Sequence, residues 1–371
     1  MARPLTWPAA GDTLVAMKRV LLLAELGSVA LPVMRALGSR GMIAGVAGAG
    51  DGTYLRVSRH CASYARIAAD AREMAEAGEA VLEAAARAAR EFGPDLILPA
   101  DVPGAFLAAK LKGRVAGPAY FPSPEPAALR VLDNKWSFHE FLVERGLPSP
   151  KTRLLDGAGA AAAADLPLVI KPLSGSGGQG VTVVRTADEL AARLEGGAFP
   201  LLAQEFVAGE DVDLSFLADR GTLLAWAVQM RSPGGSIRYI DDERVVELGR
   251  RLAAATAYTG MAHFDMRYDG PARERILIIE CNPRFWATFS NTAGLGVDFI
   301  GLGLELARGR SPAPIAASPV GPSLGVRDAL GKLMGGGDLS ADNVESIRQK
   351  LLDPGPELYK TGRRLLGSLR G

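Results

Sequence analysis

The segment Glu280-Cys281-Asn282-Pro283-Arg284 gathers two oxygen donors and a guanidinium at the end of an apolar run, Ile276 to Ile279. A carboxylate ending so apolar a strand needs a cation beside it, because removing a lone charge from water is costly. A second run, His263-Phe264-Asp265, lies upstream across the turn-like Asp269-Gly270-Pro271, so the two segments read as hairpin partners. Period-two alternation puts His263 and Asp265 on one face, and Glu280 and Asn282 on one face, with Phe264 and Cys281 turned away. Hard oxygen ligands then converge. Magnesium takes one or two protein carboxylates together with phosphate and water, which suits Asp265 and Glu280, with Asn282 adding a carbonyl oxygen. Arg284 would sit beside a transferring phosphoryl group. The plain alternative is a surface Glu280–Arg284 ion pair with a turn at Asn282-Pro283. Cys281 reads as core, not as a nucleophile.

A second constellation is Ser174-Gly175-Ser176-Gly177-Gly178-Gln179-Gly180, which contains a literal G-x-G-x-x-G. The dinucleotide fingerprint requires a helix after it, yet Val181-Thr182-Val183-Val184 is β-branched and reads as a strand. The P-loop also fails, because Val181-Thr182 stands where that motif needs Lys-Ser/Thr. What remains is a glycine hairpin whose backbone N–H groups can close over anionic oxygens; a surface hairpin without a ligand is the alternative. Lys171 ends an apolar strand just before this loop, and Lys135 lies in the first turn of a helix within Asp133-Asn134-Lys135. Either could be a solvated lysine by itself. Together they bracket the loop with positive charge.

The elements needed to hold these groups are legible in outline. Val20 to Ala24, Met42 to Ala47 and Asp95 to Pro99 read as buried parallel strands, with helices at Val29 to Leu37 and Ala71 to Phe92. An open α/β sheet follows. Gly117 to Pro126 marks a boundary, and Ala127 to Arg145 is helical. Beyond Pro150 the texture becomes α+β, with strands at 168–171, 181–185, 201–206, 211–217 and 223–230. A helix over 243–258 precedes the two carboxylate strands, 261–268 and 275–282, and another helix lies around 299–307. Turns are read at Gly335-Gly336-Gly337 and Pro354-Gly355-Pro356.

A length of 371 residues suggests two or three packed units with a cleft between them. Lys+Arg (42) and Asp+Glu (41) nearly cancel, so no global field favours nucleic acid or an anionic membrane. The two cysteines, Cys61 and Cys281, make no metal-type spacing or disulfide framework, which fits a reducing cytoplasm. Apolar runs are strand-sized, far short of the roughly 20 residues a membrane span needs. Residues 1–16 lack the pattern of a signal peptide and read as a flexible extension.

In order and spacing these motifs resemble the ATP-grasp superfamily, above all its carbamoyl-phosphate-synthase-like branch, which includes many carboxylate–amine ligases. The resemblance implies a Rossmann-like pre-ATP-grasp domain with a parallel sheet at 17–118. It implies a small lobe with the glycine lid at 119–208, a large lobe with the metal site at 209–312 and a C-terminal helical segment at 313–371. It places Lys135 and Lys171 on the family's two phosphate-contacting basic positions, and the lid on Ser174, Gly175, Ser176, Gly177, Gly178 and Gly180. Glu205, Phe206 and Val207 fall on the adenine-holding hinge, and Asp211 on the ribose-binding acid, with Glu210 as the fallback. Asp265, Glu280 and Asn282 fall on the metal ligands and Arg284 on the arginine of the acyl-phosphate centre. His263 occupies a position where some ligases carry arginine, which makes it a third catalytic candidate with Arg284 and Lys171.

ATP and Mg2+ (or Mn2+) are the implied cofactors, small carboxylate and amine molecules the implied substrates, and a homodimer the implied assembly. The implied reaction passes through an acyl phosphate to an amide. Rivals are an ATP-grasp kinase acting on a hydroxyl and a nucleotide-binding regulatory protein. Arg231, Arg238 and the stretch from Trp286 to Asn291 are candidates for substrate selection. The N-terminal extension and the basic tail from Lys360 to Arg370 lie outside the resemblance.

Overall fold

Strand-forming runs separated by helix-forming ones produce the first sheet as expected. The computed structural model describes residues 17–157, 166–175, 177–195, 197–231, 236–289, 292, 295–319, 331–332, 334–335 and 341–368. The N-terminal extension, Ser176, Ser232 to Gly235, Ser290 and Asn291, Gly336 and Gly337, and the end of the basic tail lie outside them. In the first sheet, β1 (Arg19–Ala24), β2 (Ile43–Gly48), β3 (Cys61–Arg66), β4 (Leu96–Pro99) and β5 (Ala119–Tyr120) run parallel in the order β3-β2-β1-β4-β5. Both faces of β1 are buried, which is why Val20 to Ala24 is an unbroken apolar run. Helices α1 (Gly27–Gly38), α2 (Ala71–Glu76), α3 (Glu79–Phe92) and α4 (Val102–Leu111) complete this part.

Two helices expected as continuous are split. The Ala71 to Phe92 run breaks at Ala77, which adopts a left-handed φ of 42°, followed by the Gly78 N-cap of α3. The Ala127 to Arg145 run breaks into α5 (Pro126–Asp133) and α6 (Lys135–Glu144), because the Asn134 side chain accepts the N–H groups of Trp136 and Ser137 as an N-cap. That cap places Lys135 at the first residue of α6. Pro354-Gly355-Pro356 is not a free turn either, since it opens the last helix.

The second half contains two antiparallel sheets. One has the order β6-β9-β7-β8, from β6 (Thr152–Leu155), β7 (Leu168–Pro172), β8 (Thr182–Val184) and β9 (Leu201–Glu205), with α7 (Ala187–Leu194) alongside. The other follows β12-β11-β10-β13-β14, from β10 (Asp211–Asp219), β11 (Thr222–Arg231), β12 (Ile237–Ile240), β13 (Gly260–Asp269) and β14 (Arg275–Asn282). A short β15 (Ile315–Ala316) pairs with β11. Helix α8 (Glu243–Ala255) and a core of Leu214, Phe216, Phe264 and Ile278 cover one face of this sheet. On the opposite face Leu217, Ala225, Ala227 and Met261 join a second core, and polar side chains gather at the end that carries Asp213, His263 and Asp265. Helix α9 spans Phe299–Ala307.

The C-terminal helices, α10 (Ala341–Leu352) and α11 (Gly355–Ser368), are tied to the first sheet's side by Asp353 between them. Its buried carboxylate accepts Arg35 Nε at 2.9 Å, Ser58 Oγ at 2.8 Å and the Arg59 amide at 2.9 Å. Gly355 permits this approach, since a Cβ there would lie 2.1 Å from the Val57 carbonyl oxygen. Asp353→Ala leaves buried Arg35 with only the residue-353 carbonyl and Glu357 at 4.0 Å, and should cost about 3–5 kcal/mol in urea unfolding. A loss under about 1 kcal/mol would show that the latch does not hold the fold.

Candidate active site

Strand register builds the site. Across the large antiparallel sheet, Asp213 on β10 faces Gln229 on β11 and Asp265 on β13, and Asp265 faces Glu280 on β14. The next row sets Ser215 against His263 and His263 against Asn282. Side chains two residues apart share a face, so the polar groups collect opposite the apolar core. A bulge after Asp265, where Met266 pairs with Ile278, leaves Ile279 over for the cavity wall.

The smaller sheet and α6 supply the positive charge. Lys171 on β7 is 3% exposed and donates to Gln204 Oε1 at 2.9 Å. Lys135 Nζ lies 3.2 Å from Glu280 Oε2 and donates to the Gly175 carbonyl at 3.0 Å, so one ammonium joins the carboxylate strand to the glycine hairpin. That hairpin joins β7 to β8, pairing Leu168 with Val184 and Ile170 with Thr182. Gly175, Gly177, Gly178 and Gly180 all have positive φ, from 67° to 116°, where other residues are strained. Ser174 is exposed at its base.

A cavity of about 290 Å³ lies between the two sheets. It is lined by Lys171, Glu205, Phe206, Val207, Asp211, Asp265 and Glu280 among the expected residues. Asp211 also pairs with Arg267 at 3.1 Å. Glu210 is committed elsewhere, to Arg273, and does not line the cavity. Arg231 borders it, whereas Arg238 does not and its guanidinium rests near Met230 Sδ. Trp286 is buried against His263, with its ring 6.0 Å from the imidazole and nearly parallel.

Burial dominates the electrostatics. It pulls Lys171 down to about 8, only partly offset by the Glu280 charge. Burial and then the neighbouring Asp265 charge push Glu280 up. Burial acts to raise Asp265, but the hydrogen bond and charge of His263 outweigh it and hold that carboxyl below its usual range. Asp265 and Glu280 stand close enough to share a hydrogen bond. Arg284 donates to the Phe285 carbonyl at 2.8 Å and to Asn282 Oδ1 at 2.7 Å. Burial lowers its pKa despite the charges of Asp101 and Asp133. The Asn282 amide donates through Nδ2 to Asp265 Oδ2 at 2.7 Å, so here its nitrogen, not its oxygen, faces the carboxylates. Cys281 is buried on the core side, its thiol raised well above the usual range by burial.

Sequence reading missed Asp213, which is buried in the cavity wall and pushed up to about 6 by burial. Its signal was present, because Asp211, Asp213 and Ser215 alternate on one strand. Asp101, near Arg284, was missed too, since it comes from another element, and Asp133 entered only as a neighbour of Lys135 in Asp133-Asn134-Lys135.

With this geometry in hand, comparison with known proteins gives the class. Residues 132–288 match the family described as the ATP-grasp domain. A D-alanine–D-alanine ligase from Aromatoleum aromaticum is 31% identical over 127 residues, which cover 32% of this chain and 40% of that protein. The large chain of a Thermus thermophilus carbamoyl phosphate synthase is 23% identical over 227 residues, 54% of this chain and 21% of that one. The chain thus spans half or less of the length of these curated relatives. A biotin carboxylase–β,γ-ATP complex from Campylobacter jejuni superposes with a TM-score of 0.62 at 19% identity, covering 82% of this chain and 74% of that one, a likeness of fold. Among the described residues no helix is long and apolar enough to cross a membrane.

The Lys171 assignment has a signed consequence. Its folded value of about 8 lies below the ordinary 10.5, so between those pH values the unfolded chain holds the proton and the folded chain does not. Stability relative to Lys171→Met should therefore rise with pH across that window, by up to about 1.4 kcal/mol per unit. Parallel urea-unfolding curves for the two proteins from pH 7.5 to 10 would contradict the burial of a charged lysine.

Proposed function

We propose that this protein is an ATP-dependent carboxylate–amine ligase that joins two small molecules through an acyl phosphate. The observation that carries the reading is the pair of carboxylates, Asp265 and Glu280, lining one cavity with Lys171, while Lys135 pairs with Glu280 and reaches the glycine hairpin. The relative named D-alanine–D-alanine ligase supports the same class of reaction. We also assign 17–118 to the pre-ATP-grasp domain, 119–208 to the lid lobe, 209–312 to the metal lobe and 313–371 to a C-terminal helical segment.

Adenine is taken by the apolar end of the cavity, where Val169, Phe206, Val207 and Met266 line the wall and Glu205 ends the strand. Asp211 receives the ribose hydroxyls. Lys135 and Lys171 hold phosphate oxygens, and the lid amides of Gly175 to Gly180 close over them. Two adjoining carboxylates on paired strands are a fitting donor set for a divalent cation, and Asp265 and Glu280 would hold Mg2+ with Asn282 after its amide turns. When bound, that ion neutralises phosphate charge.

A substrate carboxylate oxygen attacks the γ-phosphorus of ATP, and the bond to the bridging oxygen breaks to release ADP. The amine then attacks the acyl carbon, phosphate leaves with the carbon–oxygen bond pair, and the amine proton passes to solvent. Lys171 and Arg284 offset the charge that develops on the transferred group, and no covalent enzyme intermediate is needed. His263, held beside Asp265, orients that carboxylate.

Incubation with ATP, Mg2+, hydroxylamine and a panel of amino acids should yield a hydroxamate with at least one acid. A kinase or a regulatory protein gives none across a wide panel. Glu280→Ala should lower Mg2+-dependent ATP turnover by roughly 10³-fold, the several kcal/mol a metal contributes at the transferring group, without loss of fold by circular dichroism. Unchanged turnover would remove Glu280 from the metal site.

A further inference from the structure

The cross-strand row continues beyond the carboxylate pair assigned to magnesium. One oxygen each from Asp213 and Asp265 and one ring nitrogen of His263 lie within 4.8 Å of one another. His263 Nε2 stands 3.4 Å from Asp265 Oδ1 and 4.0 Å from Asp213 Oδ2. Ligand atoms about 2.1 Å from one tetrahedral ion are separated by roughly 3.4 Å, so little movement closes this trio on a metal.

Charge supports a cation there. Asp213 is 4% exposed, and among the described residues no lysine or arginine nitrogen lies within 4.0 Å of either aspartate. Gln229 is neutral, so one imidazole is the only cationic partner in contact with the two carboxylates among the described residues, while Arg231, Arg284 and Lys171 act from farther off. Each donor is also held from behind. His263 Nδ1 meets Ser215 Oγ at 2.8 Å, Gln229 donates to Asp213 at 2.9 Å, and Asn282 donates to Asp265 Oδ2 at 2.7 Å. Such outer hydrogen bonds orient metal ligands, and the one on Nδ1 leaves Nε2 as the ring atom facing the aspartates. Trp286 lies parallel to the imidazole and limits its rotation. Asp213 and Asp265 both border the cavity, which is a route in for an ion.

We propose that Asp213, His263 and Asp265 form a second metal subsite, for a first-row transition dication such as Zn2+, that shares Asp265 with the magnesium pair. One imidazole with two carboxylates is a borderline donor set, better matched to Zn2+, Fe2+ or Co2+ than to Mg2+, which prefers oxygen alone. The inference rests on donor geometry and charge, not on the ligase reading.

The test uses the full chain without nucleotide and Co2+ as the probe. One equivalent should bind with intense visible bands of a low-coordinate site and be displaced by Zn2+. Asp213→Asn and His263→Gln should each weaken binding by about 10- to 100-fold or more, while Glu280→Ala retains the bands. Bands that survive both substitutions but vanish in Glu280→Ala would overturn the site in favour of the oxygen pair. So would the absence of any bands. X-ray absorption of the Zn2+-loaded wild-type chain needs no variant: imidazole scattering supports the site, and an oxygen-only shell refutes it. A chain that binds Co2+ here yet forms no hydroxamate would uphold this subsite and refute the ligase reading.

Discussion

Lys171 is withdrawn almost wholly from water, and the terms of the site follow from that. A buried ammonium needs acceptors, and Gln204 supplies a neutral one while the carboxylates of Glu280 and Asp265 act from farther off. Those carboxylates in turn repel each other, so that Glu280 rises under the Asp265 charge and leans on Lys135. No member of this group is satisfied alone. Charges that would be ruinous singly are tolerated because Lys171 stands on the sheet opposed to Asp265 and Glu280 and Lys135 reaches Glu280 from α6. In the proposed function, a triphosphate with its cation would complete the balance, bringing anionic oxygens to the lysines and positive charge to the carboxylates.

Rigid strands make that balance specific. Asp213, Asp265 and Glu280 occupy one cross-strand row, and Ser215, His263 and Asn282 the next, so register rather than loop conformation sets their spacing. The core beneath, with Phe216, Phe264 and Ile278, fixes which face each side chain takes, since a one-residue slip would bury the carboxylates and expose the aromatics. The glycine hairpin answers the opposite need. Four residues with positive φ make a segment that can adapt to an anion, anchored to the rigid part through Lys135.

Local chemistry made much of this legible. The β-branched run after Ser174 to Gly180 identified a hairpin where a dinucleotide motif would have required a helix, and alternation alone separated Asp265 from Phe264. Helix α9 also falls where its spacing placed it. What escaped depends on partners distant in sequence. Strand β3 has a half-exposed, weakly patterned sequence and becomes a strand by pairing with β2. Strands β6 and β12 each carry an arginine amid short apolar runs and gain their identity from β9 and β11. Asp213 needed the register of three strands, and Asp353 needed its partners on α1 and before β3, some 300 residues upstream. The two helix breaks were local yet overlooked, because Asn134 and Gly78 can each be carried within a helix at moderate cost.

In the proposed function Lys171, Lys135 and the Asp265–Glu280 pair are a matched receptor for a nucleotide with its metal. Calorimetric titration of ATP into the full chain, with and without Mg2+, tests it most directly. One site per chain is expected, with affinity that rises markedly when Mg2+ is present. Equal affinity in both conditions would contradict the role given to the carboxylates, and no binding in either would contradict the receptor itself.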